Sequence, residues 1–185
     1  MSNSDKERDI QVIWTFTMKC PRCDSDFKVS DSIYEIPLVG KILISTGRCM
    51  KCGYRYSSVR AVESHGPQKL TLRVENPKDL NIFVLRASSA TIKVPELGIE
   101  ITPGPAAQGY ITTVEGVLDR VLEVLSILKD DPEVDKEERD KREKMIKEAK
   151  EGKRKFTFVI IDPEGVSRII SDKVEKEKLY GSYIT

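Results

Sequence analysis

The first half of the chain alternates apolar and polar residues with the period of two that marks strands solvated on one face. In IQVIWTFTM this alternation places Val12, Trp14, Phe16 and Met18 on one face of a predicted strand whose end delivers Cys20. A second β-branched run, Lys41 to Thr46, returns the chain to Cys49, so the stretch between reads as a hairpin-like excursion. Downstream, KLTLRVEN alternates Leu70, Leu72 and Val74, and NPKD supplies a turn. LNIFVLRASSATIKVPELGIEITPG then gives several short strands broken by Pro95, Gly98 and Pro103. Short strands at this spacing predict a sandwich or barrel-like sheet.

At Thr112 the period changes. TTVEGVLDRVLEVLSILKDD puts Val114, Val117, Leu118, Val121, Leu122, Leu125 and Leu128 on one helical stripe, and Thr112 with Glu115 has the spacing of a capping box. After Asp131-Pro132, EVDKEERDKREKMIKEAKEG favours helix by propensity and Gly152 supplies a stop. Its few apolar residues include Met145 and Ile146, expected to be exposed and free to meet a partner. Two helices joined in this way make an αα-hairpin.

FTFVIID and VSRIIS resume strand character around a PEG turn, so the hairpin, at about 112–152, reads as an insertion between strands of one β domain. The closing EKEKLYGSYIT is expected to be a mobile or docking tail. The expected division is 1–62, an N-terminal strand with the cysteine-bearing unit, and 63–185, a β-rich domain carrying the hairpin.

Charge changes the picture by exclusion. Lys+Arg number 31 against Asp+Glu 30, a net of +1, which argues against a protein that coats polyanions. No run reaches the roughly 18–20 apolar residues of a membrane helix, and MSNSDKERDI lacks the apolar core of a signal peptide. A cytoplasmic location without membrane contact is expected.

All four cysteines fall in CPRCDSDFKVSDSIYEIPLVGKILISTGRCMKC, as two CxxC pairs with twenty-five residues between them. A reducing cytosol argues against disulfides. Neither pair opens a helix beside a βαβ pattern, as a redox dithiol would. Four cysteines also close the shell that a catalytic zinc keeps open for water. Cys20, Cys23, Cys49 and Cys52 are therefore expected to hold one structural zinc ion. Pro21 stiffens the first turn, and Gly53 can take up the backbone angles needed as the chain leaves the second. The spacer exceeds the roughly 15–20 residues of ordinary ribbons, which requires extra β structure between the knuckles. Structural zinc in small fingers contributes an apparent ~10–16 kcal/mol, against ~5–15 kcal/mol for a whole domain.

His65, the only histidine, sits in the turn-like ESHGPQ, and no cysteine lies outside the pairs, so a nucleophilic triad has little to draw on. No enzyme is expected. ITPGPAAQGY lacks the glycine patterns of phosphate-binding loops and reads as structural. From Lys129 to Lys155 the charges interleave in sign, as on a solvated helix face. Arg22, Arg48, Lys51, Arg55 and Arg60 around the knuckles, with the small cluster KEGKRK, support a second reading as an RNA- or ribosome-associated zinc ribbon.

The order CPRC, long spacer, RCMKCGYR, KLTLRVENPKDL, SATIKVPELGIEITPG, GYITTVEGVL and FTFVIIDPEGVSRI closely resembles the ZPR-type zinc-finger family over about Cys20 to Ile170. One module is present, like the single-copy form of archaea rather than the eukaryotic tandem. The resemblance implies a mainly β fold with an inserted helical hairpin (α+β). A four-cysteine zinc finger precedes a domain of double-stranded β-helix character, from which the hairpin projects. It implies zinc ligation by Cys20, Cys23, Cys49 and Cys52. Thr112, Thr113, Glu115 and Gly116 match the motif opening the hairpin, and Asp162, Pro163 and Gly165 match a turn, with no catalytic role for either set. Functionally it implies a non-enzymatic adaptor or folding chaperone whose protein client is the translation elongation factor one-alpha GTPase.

Overall fold

The early alternation becomes an antiparallel sheet. In the computed structural model of the chain, which describes residues 11–36 and 39–180, strands β1 (Gln11–Lys19), β2 (Asp26–Ile36), β3 (Gly40–Arg48) and β4 (Arg55–Ala61) pair in chain order. The long spacer between the cysteine pairs is therefore the β2–β3 hairpin, registered with Val29 opposite Gly47. A side chain at Gly47 would collide with Phe27 and Val29, the two apolar residues this sheet buries beside its cysteines.

Trp14, Phe16 and Met18 share one face of β1, opposite Asp31, Val29 and Phe27. Val12 does not join them, because the register shifts between Val12 and Trp14 and the extra residue turns Val12 to the other face. β1 is an edge strand, and Trp14 on it is 66% exposed.

The remaining strands are β5 (Gln68–Val74), β6 (Phe83–Arg86), β7 (Thr91–Val94), β8 (Ile99–Ile101), β9 (Tyr110–Thr113), β10 (Phe156–Asp162), β11 (Arg168–Ile169) and β12 (Glu175–Lys178). They form a five-stranded sheet, β12-β5-β10-β7-β8, and a three-stranded sheet, β11-β6-β9. FTFVIID, the central strand β10, is buried along most of its length, as an apolar run between two neighbours should be. Leu70, Leu72, Ile92 and Phe158 of the larger sheet and Val84 and Ile169 of the smaller one belong to a single core. VSRIIS thus does not extend β10 after its turn but crosses to the other sheet.

Helices α1 (Val114–Ile127) and α2 (Lys136–Lys150) lie between β9 and β10, as the inserted hairpin predicts. Val114, Val117, Leu118 and Leu125 of α1 are buried, Val121 and Leu122 pack at the core's margin, and Val124 and Ile127 are exposed. The cap is one residue later than expected: the Thr113 hydroxyl accepts from the Gly116 amide at 3.1 Å. Thr112 is held extended by its pairing with Val84, and Glu115 turns to Lys150 at 3.4 Å instead of closing a capping box.

The expectation of an exposed Met145 and Ile146 is overturned. Ile146 is 0% exposed and, with Ala149, enters the core, while Met145 is half-buried against it. The hairpin is packed down rather than projecting free, because these few apolar residues share the face of α2 that meets α1. Lys150 also bonds Asp119 across the pair.

The expected tail is likewise structured as far as it is described: EKEK forms β12 on the edge of β5, although residues 181–185 lie outside the described residues. Lys173 anchors the approach to it, reaching buried Asp79 at 2.7 Å. Burial alone would raise the Asp79 pKa, but Lys173 and the Glu75 and Asn76 amides hold it below the usual carboxylate range. None of the described helices is long and apolar enough to cross a membrane.

Two contacts join the first sheet to the others. At one, the Val59 amide of β4 donates to the Gly109 carbonyl at 3.0 Å and the Gly109 amide donates to the Ser58 hydroxyl at 3.1 Å. At the other, the Ala61 amide donates to Val166 O at 3.3 Å and the His65 amide to Gly165 O at 3.0 Å. DPEG is the turn that makes this second contact possible, since fully buried Asp162 accepts from the Glu164 and Ser167 amides and fixes its shape.

A Cβ at Gly109 would stand 2.1 Å from Val59 O, a backbone atom that cannot swing aside. Gly109→Ala is expected to lower the thermal midpoint and open the β4 junction to limited proteolysis. Gly104→Ala, where a Cβ meets nothing within 4 Å, is the control expected to stay within about 0.5 kcal/mol of the parent. Equal melting of the two variants would contradict a close-packed junction.

Candidate metal centre

Two turns of the same construction bring the four thiols together. Cys20 stands just past the end of β1, and its amide donates to Ser25 O at 2.9 Å while the Asp24 amide donates back to Cys20 O at 2.9 Å. Cys49 stands just past β3, with its amide donating to Tyr54 O at 2.8 Å and the Gly53 amide to Cys49 O at 2.9 Å. Each turn needs a left-handed residue four positions after its first cysteine: Gly53 at φ 74° and Asp24 at φ 57°. Aspartate is among the few side chains that tolerate that region.

The four Sγ atoms lie within 4.8 Å of one another, with Cys20–Cys52 at 3.5 Å and Cys23–Cys49 at 3.6 Å. An ion bound tetrahedrally at about 2.3 Å from each sulfur sets sulfur–sulfur edges near ~3.8 Å. The residues therefore fit one such ion, and no rearrangement of the turns is required. Cys20 and Cys49 are buried and Cys23 and Cys52 half-buried. Phe27 and Tyr54 meet edge to face at 6.1 Å beside them, and Met18 and Tyr56 complete the apolar jacket.

The electrostatics of the thiols diverge. Cys49 is pulled down to about 6, chiefly by the Ser25 hydroxyl 3.2 Å away and then by the Cys52 amide, against burial. The same hydroxyl, 3.0 Å from Cys23 Sγ, lowers Cys23 as well. For Cys52 the Tyr54 amide lowers the pKa, but burial and the neighbouring sulfurs outweigh it and push the thiol up to about 12. Four sulfurs this close cannot all hold a negative charge unaided. A divalent cation held by Cys20, Cys23, Cys49 and Cys52 would supply the missing positive charge, and the thiols that remain protonated would give up their protons to it.

All four predicted residues thus meet at one point. Ser25 and Asp24 were not foreseen, although aligning CPRCDS with CMKCGY sets Asp24 where Gly53 stands and gives a signal for the first turn. The five basic residues around the knuckles, Arg22, Arg48, Lys51, Arg55 and Arg60, are all exposed, and Arg48 faces Arg55 across β3 and β4. His65 is exposed in the connection after β4, and it is not part of the cluster.

Residues 12–66 match the ZPR1 zinc-finger domain and residues 78–181 the ZPR1 jelly-roll domain, which holds the hairpin and every strand of the two sheets except β5. A ZPR1-like protein of Methanocaldococcus jannaschii is 42% identical over 166 residues, which cover 88% of this chain and 84% of that protein. Another, from Pyrococcus horikoshii, is 42% identical over 167 residues, or 86% of this chain and 75% of its own length. The zinc finger chaperone zpr1 of Schizosaccharomyces pombe is 30% identical across 85% of this chain, but only 36% of that protein is covered. The zinc-finger match on the cysteine turns and the jelly-roll match on the sheets behind them together make this chain a member of the ZPR1 family, carrying one such module.

Proposed function

We propose that Cys20, Cys23, Cys49 and Cys52 bind one zinc ion and that the chain is a non-enzymatic chaperone or adaptor in the cytoplasm. Its client, on this reading, is the translation elongation factor one-alpha GTPase, as the family resemblance implies. The observation that carries the reading is the exposed apolar strand beside the metal centre. Trp14 and Phe16, on one face of edge strand β1, are 66% and 38% exposed, an apolar patch of the kind that marks a protein-binding surface. The name of the Schizosaccharomyces pombe relative, a zinc finger chaperone, supports the same class.

The bound ion would supply a fixed cross-link between the two turns. The work of recognition falls to the chain: the Cys20 turn fixes the end of β1, and pairing with β2 holds Trp14 and Phe16 outward for a client. Because Ile146 is buried, the second contact surface moves from α2 to the exposed Val124 and Ile127 of α1. The division into a finger unit, 1–62, and a β-rich unit, 63–185, belongs to the same proposal.

The exposed Arg48–Arg55 pair favours the RNA- or ribosome-associated role as the second reading. Phosphate contacts would make RNA binding fall steeply with salt, and absent or salt-independent binding removes that reading.

The purified zinc-containing chain is expected to co-elute with the elongation factor and to raise its refolding yield. Cys49→Ser should lose the zinc equivalent and co-elution together. Trp14→Ala should keep the zinc and weaken co-elution. No co-elution by the parent chain, or co-elution that both variants leave untouched, contradicts the proposal.

A further inference from the structure

Arg86 is a buried cation that the metal centre and the β1 patch leave unused. It is 4% exposed, and its Nε and Nη2 both donate to the neutral Ala90 carbonyl at 3.0 and 2.6 Å. Burial pushes its pKa below the usual guanidinium range, Tyr110 opposes the shift, and the Arg120 guanidinium adds to it. Among the described residues neither Arg86 nor Arg120 has a carboxylate within ion-pairing distance. A buried arginine beside a second arginine, with no counterion, is costly in the free protein and calls for an anion.

The surroundings define what kind. Arg120 Cζ lies 3.9 Å from the centroid of the Tyr110 ring and Arg86 Cζ lies 5.6 Å from it, so the three residues form one cationic waist. On one side of the waist opens a trough of about 590 Å³, walled by Ile99, Ile101, Val121, Val124 and Leu125. On the other side a cleft of about 650 Å³ reaches Ser57 and Val59 of β4 beside Gln108. The trough's other charges are already matched, Glu100 by Lys93 at 2.9 Å and Arg142 by Glu138 at 3.0 Å. A nucleic-acid strand brings a phosphate at every nucleotide and needs cations along its path, whereas this groove offers two at one point and an apolar wall beyond. A single carboxylate can take the Arg120 fork together with Arg86 Nη1, the nitrogen that the Ala90 carbonyl leaves free, and apolar side chains next to it fill the trough.

The geometry points to a binding site for an extended acidic peptide segment of a client protein. One aspartate or glutamate is clasped by Arg86 and Arg120, and its apolar neighbours lie along β8 and α1. This inference rests on the client-binding reading above and adds the chemistry of the segment recognised.

The test is selection of random peptides displayed on phage against the full zinc-containing chain, followed by fluorescence anisotropy with a synthesised, fluorescein-labelled selected peptide. Selected sequences are expected to hold an aspartate or glutamate flanked by Leu, Ile, Val or Phe. Arg120→Glu, at an exposed residue, should weaken binding about 10-fold or more, and replacing the peptide's acid by its amide should do the same. Val124→Asp, on the wall of the trough, should weaken it too, with the melting curves of both protein variants unchanged. Four outcomes overturn the site: no selected peptide, selected peptides without an acid, undiminished binding by Arg120→Glu, or equal displacement by inorganic phosphate or poly(U) RNA. No elongation factor is present, so such a failure leaves the client reading to its own co-elution test.

Discussion

Four sulfur atoms within 4.8 Å of one another form an arrangement that repels itself until a cation sits among them, and the N-terminal sheet is built around that point. Its own buried apolar cluster is Phe27 and Val29 with the cysteines, flanked by the half-buried Met18, Tyr54 and Tyr56, and Ile42 of β3 is buried apart from it. Such a core is small for four strands, and the proposed metal binding is expected to be coupled to folding of this unit. The Ser25 hydroxyl and the turn amides prepare part of the charge in advance by favouring thiolate at Cys23 and Cys49. What a bound ion would then fix is the exit of β1, and with it the orientation of an exposed apolar strand.

The jelly-roll part needs no such device. Its core draws on two sheets and both helices, and the hairpin contributes Val117, Leu118 and Ile146 to it. The two parts meet through backbone, at Gly109 against Val59 and at the DPEG turn against the connection after β4. Two long side chains reinforce these backbone contacts, Gln108 donating to the Tyr54 hydroxyl at 3.3 Å and Arg168 to the Glu63 carbonyl at 2.6 Å. The Arg86–Arg120 groove opens beside this joint, with Ser57, Val59 and Gly109 in its lining.

Much of this was legible where one local rule decides the outcome. The paired CxxC turns, the β2–β3 excursion between them and the amphipathic α1 each carry their own signal in the sequence. The misreadings share a cause, which is that a partner elsewhere overrode the local pattern. Thr112 lost the cap to Thr113 because β6 holds it extended. Ile146 looked idle in a charged helix, yet its few apolar neighbours are enough to seat α2 on the core. EKEK has no apolar residue to announce a strand, and it pairs with β5 through its backbone. The Arg86 groove was invisible because its residues come from β6, β8, β9 and α1.

The most direct test is amide hydrogen exchange of the full chain before and after a chelator removes the metal. Loss of protection confined to β1–β4, with β10 still slow to exchange, is the predicted result. Metal removal that leaves β1–β4 protected, or that exposes β10 in step with them, would contradict a metal-dependent sheet mounted on an independently stable domain.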